Sequence, residues 1–305
     1  MKSPVVLAFA GGMHASAAIP WLVDTMGVEV VTVTLDVGQG NELGGLRARA
    51  LACGAVRAHI VDARDDFARE VLFPSLASTA TTGATNEAAA RSITALPWPL
   101  IARKLVEIAR IESAGAVAHG STDPAFDAAI RAIDPAIPII AAAREWTMGD
   151  ADLASFARAH RLPLQVVVGQ ECSIDQNLWG RIVVWTGEEA PAVLRDRVAM
   201  RRVNEPATID LHFEHGAPTS VNGVPMSPAE LIECLALIGA QHGIGQTVES
   251  AQGRQVLYDA PAATVLHAAA AAAASLASAD VCLKLADGEY TVLSPSDRHA
   301  LLVNA

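Results

Sequence analysis

Val5-Val6-Leu7-Ala8-Phe9-Ala10-Gly11-Gly12-Met13-His14-Ala15-Ser16 is the stretch on which the fold turns. Its first half is an unbroken apolar run, the pattern of a strand buried on both faces of a parallel sheet. Two glycines follow, then an Ala-rich segment able to continue as a helix. A strand, a Gly-Gly turn and a helix start together present a nest of backbone N–H groups at the positive end of a helix dipole. Such a nest suits phosphate or pyrophosphate. Glycine lets the backbone approach an anion with no Cβ in the way. The same residues also suit a plain tight βα turn, so the stretch alone leaves both readings open.

Outward from that loop the first half alternates strand and helix. Strands are expected at 4–10, 28–36, 56–62, 115–119 and 137–142, and helices at 15–26, 42–53, 64–79, 99–113, 124–132 and 150–160. Gly27, Gly54 and Gly115 sit where helices end. In the helix after Pro99, the apolar stripe reads Leu100, Ile101, Leu105, Ile108, Ala109 and Ile111. Alternation of this kind predicts a doubly wound parallel sheet with ligands at the carboxyl ends of its strands.

Beyond about residue 170 the texture changes. Cys172 to Arg181 reads as a loop rich in hydrogen-bonding groups. Residues 207–213 and 217–221 read as a hairpin around His215-Gly216. Ser227-Pro228-Ala229-Glu230 is a capping box that starts a helix running to about Gln241. An Ala-rich helix is expected at 262–278, and a last hairpin pairs 281–285 with 290–293 across Asp287-Gly288. The fold class is therefore α/β: an N-terminal doubly wound domain over 1–168, then an α+β domain with a C-terminal hairpin over 169–305.

Composition narrows the function. A net charge of −11 over 305 residues argues against nucleic acid as the partner. No apolar stretch reaches the roughly 20 residues needed to span a bilayer, and no secretory signal is visible, so a soluble, cytoplasmic protein is expected. Cys53, Cys172, Cys234 and Cys282 are far apart and form no metal-ligand spacing. No metal site is assigned. His59, His160, His212, His215 and His267 read as surface or satisfied core residues. The acidic run Asp62 to Asp66 reads as a solvated helix start, and Arg195-Asp196-Arg197 with Arg201-Arg202 as a solvated loop or subunit contact.

Several phrases recur in a familiar order: Ile19-Pro20-Trp21-Leu22, Asp36-Val37-Gly38-Gln39-Gly40, Pro99 to Ala109, Ala118-His119-Gly120-Ser121-Thr122, Arg144-Glu145-Trp146 and Ser173 to Arg181. Val221-Asn222-Gly223, His242-Gly243-Ile244-Gly245 and Tyr258-Asp259-Ala260-Pro261 continue the series. Over nearly its whole length the chain resembles argininosuccinate synthases, members of the N-type ATP pyrophosphatase (PP-loop) superfamily. The resemblance implies an adenine nucleotide alpha hydrolase-like first domain and an AMP-forming C–N ligase of arginine biosynthesis. In that reaction ATP adenylates the ureido oxygen of citrulline, and the amine of aspartate displaces AMP. ATP and Mg²⁺ are the implied cofactors, a nucleotide and a small amino-acid-like metabolite the implied partners.

Carried over residue by residue, the resemblance is uneven. The family's loop reads Ser-Gly-Gly-x-Asp-x-Ser; here Gly11, Gly12 and Ser16 fit, while Ala10 replaces Ser and His14 replaces Asp. With Ala8, Leu35 and Gly120 these form the implied nucleotide set, which relies on backbone more than side chains. On the aspartate side Thr122 and Asp127 match, but Gly-Lys-Gly-Asn between them is Asp123-Pro124-Ala125-Phe126, and the following Arg is Ile130. On the citrulline side Tyr is Asn86, Arg is Trp98 and a Ser is Ile182, while Ser173, Glu249 and Tyr258 match. Trp98, Phe126, Ile130 and Ile182 would either line a new apolar pocket or simply fill the interior after the site was lost. The expectation is a homologue weakened in the family reaction that keeps nucleotide, metabolite or partner binding. The alternative is an active AMP-forming ligase on a less polar substrate pair. A block missing before Trp185 removes the family's next Glu on the citrulline side, and a segment shorter than the family's between Leu276 and Asp280 argues against the family's tetramer and leaves a smaller homo-oligomer open.

Overall fold

The computed structural model describes residues 3–40, 42–76, 98–163, 172–187, 189, 203–251, 253–273 and 277–294. These form two compact units. One holds the described residues up to 63 together with 98–163; the other holds 64–76 together with those from 172 onward.

The first unit is a five-stranded parallel sheet. Its strands are β1 (Val5–Ala8), β2 (Val30–Asp36), β3 (Arg57–Asp62), β4 (Ala116–His119) and β5 (Ile139–Ala141), in the order β3-β2-β1-β4-β5. β1 lies between β2 and β4, paired in parallel with both. Its alternate side chains feed two cores. Leu7 packs into a cluster with Ile19, Leu22 and Trp146, and Val6 into one with Leu105, Val106 and Ile130. Helices cover both faces: α1 (Met13–Met26), α2 (Glu42–Ala52), α4 (Trp98–Ile111), α5 (Pro124–Ile133), α6 (Ala142–Glu145) and α7 (Asp150–Ala159). The buried line of α4 is Leu100, Ala102, Leu105, Val106 and Ala109, rotated from the expected stripe; Ile111, at the helix end, is 73% exposed.

The second unit contains the short helix α3 (Arg64–Phe67), which runs into a π-helical turn at Ala68–Leu72. It corrects the reading of the acidic run as merely solvated. Asp65 Oδ1 accepts the N–H of Ala229 at 2.9 Å, in the first turn of α8 (Pro228–Gln241). A carboxylate there meets orphan amides and the positive end of the helix. Ser227 and Glu230 form the expected capping box of α8.

Two antiparallel sheets make up the rest of what is described in this unit. The five-stranded one runs β10 (Val224–Pro225), β9 (Ala217–Val221), β8 (Ala207–Glu214), β13 (Ser278–Ala286) and β14 (Glu289–Leu293). The Ala-rich helix α9 spans Pro261–Ala273, and Ser278, expected in that helix, begins β13 instead. The strand is longer than its hydrophobic run because eight residues pair with β8. The four-stranded sheet runs β11 (Gln246–Ala251), β12 (Arg254–Asp259), β7 (Gly180–Thr186) and β6 (Cys172–Asn177). Cys172 to Arg181 is thus a hairpin, not a loop. Its residues pair along β6 with β7, Ser173 opposite Val184 and Ile174 opposite Val183. Arg181 Nε donates to Asp259 Oδ2 at 2.8 Å, a buried pair joining β7 to β12.

A candidate nucleotide-binding cavity

A parallel sheet leaves its ligand crevice at the carboxyl ends of the strands where the order reverses. In the first unit that place lies beyond β1, β2 and β4, and a cavity of about 320 Å³ opens there. Of the residues expected at the nucleotide, Ala8, Ala10, Gly12, His14, Leu35 and Gly120 line it.

Gly11 and Ser16 do not line the cavity; both are buried and support the loop. Gly11 has φ +76°, a left-handed conformation that favours glycine, and a Cβ on it would meet the Leu46 side chain. The Gly11 carbonyl accepts from Ser16 Oγ at 3.5 Å and from Arg49 Nη1 at 3.0 Å. Gly12 is the N-cap of α1, and no side chain caps that helix. Its first residues, Met13, His14 and Ala15, all line the cavity. Gly120, at the end of β4, lies against them: a Cβ there would come within 3.1 Å of the Ala15 amide nitrogen. The loop therefore offers backbone donors at a helix N-terminus with little side chain in the way. His14 is exposed and stacks on Trp146 at 6.0 Å, and Trp146 meets Trp21 edge-on at 5.9 Å.

Several lining residues escaped the sequence reading. Gln39 bridges the end of β2: its Nε2 donates to the Leu35 carbonyl at 2.7 Å, and its Oε1 accepts the Val37 N–H at 2.7 Å. This fixes the backbone beside the apolar wall of Val33, Leu35 and Ile101. The only signal for it was Gln39's place in the Asp36–Gly40 phrase. Arg49, which holds the Gly11 carbonyl without lining the cavity, lies on a helix face with no motif at all.

The residues carried over for aspartate are dispersed by the fold. Thr122 is exposed and does not line the cavity. Asp127 is buried and committed internally: its oxygens accept from Arg144 Nη2 at 2.6 and 2.7 Å and from His119 at 2.9 Å. Burial pushes the Asp127 carboxyl up, but the hydrogen bonds of Arg144 and His119 and the guanidinium charge of Arg144 outweigh it and hold the group below the usual carboxylate range. His119 Nδ1 accepts the Ser121 N–H at 3.2 Å, which leaves Nε2 to donate to Asp127. Burial lowers the imidazole's pKa, which agrees with that neutral tautomer. Ile130 is fully buried in the core and does not reach the cavity. Phe126 and Trp98 do line it, stacked at 4.6 Å with ring planes 22° apart.

Ser173, Ile182, Glu249 and Tyr258 belong to the second unit. Cross-strand partners in an antiparallel sheet share a face. Ser173, Val184, Val256 and Glu249 form one row, and Asp175, Ile182, Tyr258 and Thr247 the next. All four expected residues thus share one face of the four-stranded sheet. Asn86 lies outside the described residues, as do Arg195 to Arg197, Arg201 and Arg202.

Mg²⁺ takes oxygen ligands in a strict octahedron. The loop offers it an imidazole, and among the described residues no group of three His, Cys, Asp or Glu side chains could hold a metal ion. These side chains do not fit a protein-held Mg²⁺. No helix among the described residues is long and apolar enough to cross a membrane.

Comparison with known proteins agrees with this architecture. Residues 4–163 match the family described as the arginosuccinate synthase N-terminal HUP domain, and residues 172–288 the arginosuccinate synthase C-terminal domain. The argininosuccinate synthase of Oceanobacillus iheyensis is 36% identical over 286 residues, covering 88% of this chain and 67% of that protein. That of Syntrophobacter fumaroxidans is 38% identical over 285 residues, covering 87% and 70%. That of Carboxydothermus hydrogenoformans is 36% identical, covering 87% and 70%. With both domains matched in order and relatives this similar over most of its length, the chain belongs to the argininosuccinate synthase family.

Proposed function

We propose that this chain binds an adenine nucleotide, ATP above all, in the cavity of the first unit, and that its formation of argininosuccinate is slow or lost. The observation that supports the reading is the cavity itself. The uncapped N-terminus of α1 and the close-packed Gly120 suit phosphates, and the apolar wall ending in Leu35 suits a base. Backbone contacts of this kind survive side-chain replacement.

On the amino-acid side the resemblance leaves several donors replaced. Among the described residues, no Asp, Glu, Lys or Arg lines the cavity. Asp127 is spent on Arg144 and His119, and an Ile182 side chain stands where the family has a hydroxyl. Each charged hydrogen bond lost is worth about 1.5–3 kcal/mol, so two such losses lower the rate by roughly a thousandfold. ATP, citrulline and aspartate incubated with the chain and with the Oceanobacillus iheyensis relative, with AMP and argininosuccinate followed together, test this. The expectation is product formation roughly a hundredfold to ten-thousandfold slower than the relative's. Equal rates would refute it.

A second reading, an AMP-forming ligase acting on a less polar pair, is favoured by the Trp98–Phe126 stack in the cavity wall.

A further inference from the structure

We propose that Trp98 is a specificity-determining residue: its indole, seated on Phe126 and tied down by Asp123, takes the uncharged planar group of a second ligand beside the nucleotide. This rests on the less polar reading of the same site.

Asp123 does two jobs with one carboxylate. Oδ2 accepts Trp98 Nε1–H at 3.2 Å, and Oδ1 accepts the Ala125 N–H at 2.9 Å as the N-cap of α5. The indole is therefore held at its polar edge by one contact and across its face by Phe126, which in turn lies 4.8 Å from the His119 ring. Stacked rings of this kind favour a further flat, apolar partner. Ile101, three residues on along the same helix, and Ser121, two residues beyond His119, also line the cavity.

The same arrangement turns a carboxylate away. The start of α5 has no amide to spare: Pro124 has no N–H, the Ala125 N–H is held by the Asp123 side chain, and the Phe126 N–H is directed at the Asp123 carbonyl at 3.3 Å. Asp123 itself adds a negative charge at that point. The resemblance places Lys and Asn where this chain has Pro124 and Phe126, so both the donors and the charge that would hold an acidic substrate have been replaced.

Indole serves as the probe for the shelf and L-aspartate as its opposite. Calorimetric titrations use the full chain with AMP at saturation in every arm, AMP binding being measured separately. Indole is expected to bind the native chain and L-aspartate not to bind. Trp98→Ala is expected to weaken indole by about tenfold or more, the size of a lost aromatic stack with its buried area. Trp98→Phe, which keeps a ring over Phe126, retains indole within about threefold. It also stands in should Trp98→Ala lose its fold, shown by circular dichroism: folded Trp98→Phe that no longer binds indole overturns the proposal. Indole binding unchanged in Trp98→Ala, indole displaced by AMP, or aspartate bound more tightly than indole each overturn it too. If AMP fails to bind, the nucleotide reading falls, while indole lost in Trp98→Ala and kept in Trp98→Phe still establishes the shelf.

Discussion

Two neighbouring glycines in one loop have opposite requirements. Gly11 has positive φ and faces Leu46 Cδ2, whereas Gly12 has extended backbone and nothing within 4 Å of where its Cβ would stand. Gly11→Ala is expected to cost about 1–3 kcal/mol in urea unfolding, since a left-handed residue with a side chain is strained even before the clash. Gly12→Ala is expected to unfold within about 0.5 kcal/mol of the native chain. At the proposed nucleotide site it would nonetheless put a methyl group in the way of a phosphate, and is expected to weaken ATP by about tenfold or more through lost amide contacts. Equal stability losses in the two variants would contradict the loop geometry. At this scale the sequence was most informative where the backbone acts, at Gly11, Gly12 and Gly120. It was least informative where a side chain acts through another. Nothing local marks Arg49 as the donor to the Gly11 carbonyl, because helix α2 brings it there across 38 residues.

Helices and strands differ in how openly they announce themselves. The capping box Ser227–Glu230 was readable because its chemistry is confined to four residues, and the helix begins there with Ser227 Oγ accepting the Glu230 N–H. Ser227→Ala should destabilise the second unit by about 1 kcal/mol in chemical unfolding. A change several times larger would mean that Asp65, which accepts the Ala229 N–H, depends on the same cap. The central strands β1 and β4 were legible because burial on both faces makes them near-continuous apolar runs. The four-stranded sheet was not. Gln246-Thr247-Val248-Glu249-Ser250-Ala251 and Ser173-Ile174-Asp175-Gln176 carry too few apolar residues for alternation to show, and their strand character comes from pairing with β12 and β7. The end of α9 was overrun for the converse reason: alanines continue a helix by propensity, and pairing with β8 decides where the strand takes over.

At the scale of the whole molecule, titration and ligand binding report on the fold as one object. His267, on α9, is buried and its pKa is lowered to about 4 by that burial. Between that value and the ordinary histidine value near 6.5, the unfolded chain holds more protons than the folded one. Its contribution to stability is therefore complete above pH ~6.5 and is lost as the pH falls toward 4. His267→Gln is expected to flatten the fall in melting temperature over that window, and an unaltered pH profile would remove His267 as its cause. The cavity of the first unit is the proposed nucleotide site. Titration calorimetry of ATP into the full chain, with Mg²⁺ and with a chelator, tests that most directly. Saturable ATP binding that Gly12→Ala weakens is the predicted result; no heat of binding from ATP under either condition would show that the loop of Gly11 and Gly12 is a structural turn alone.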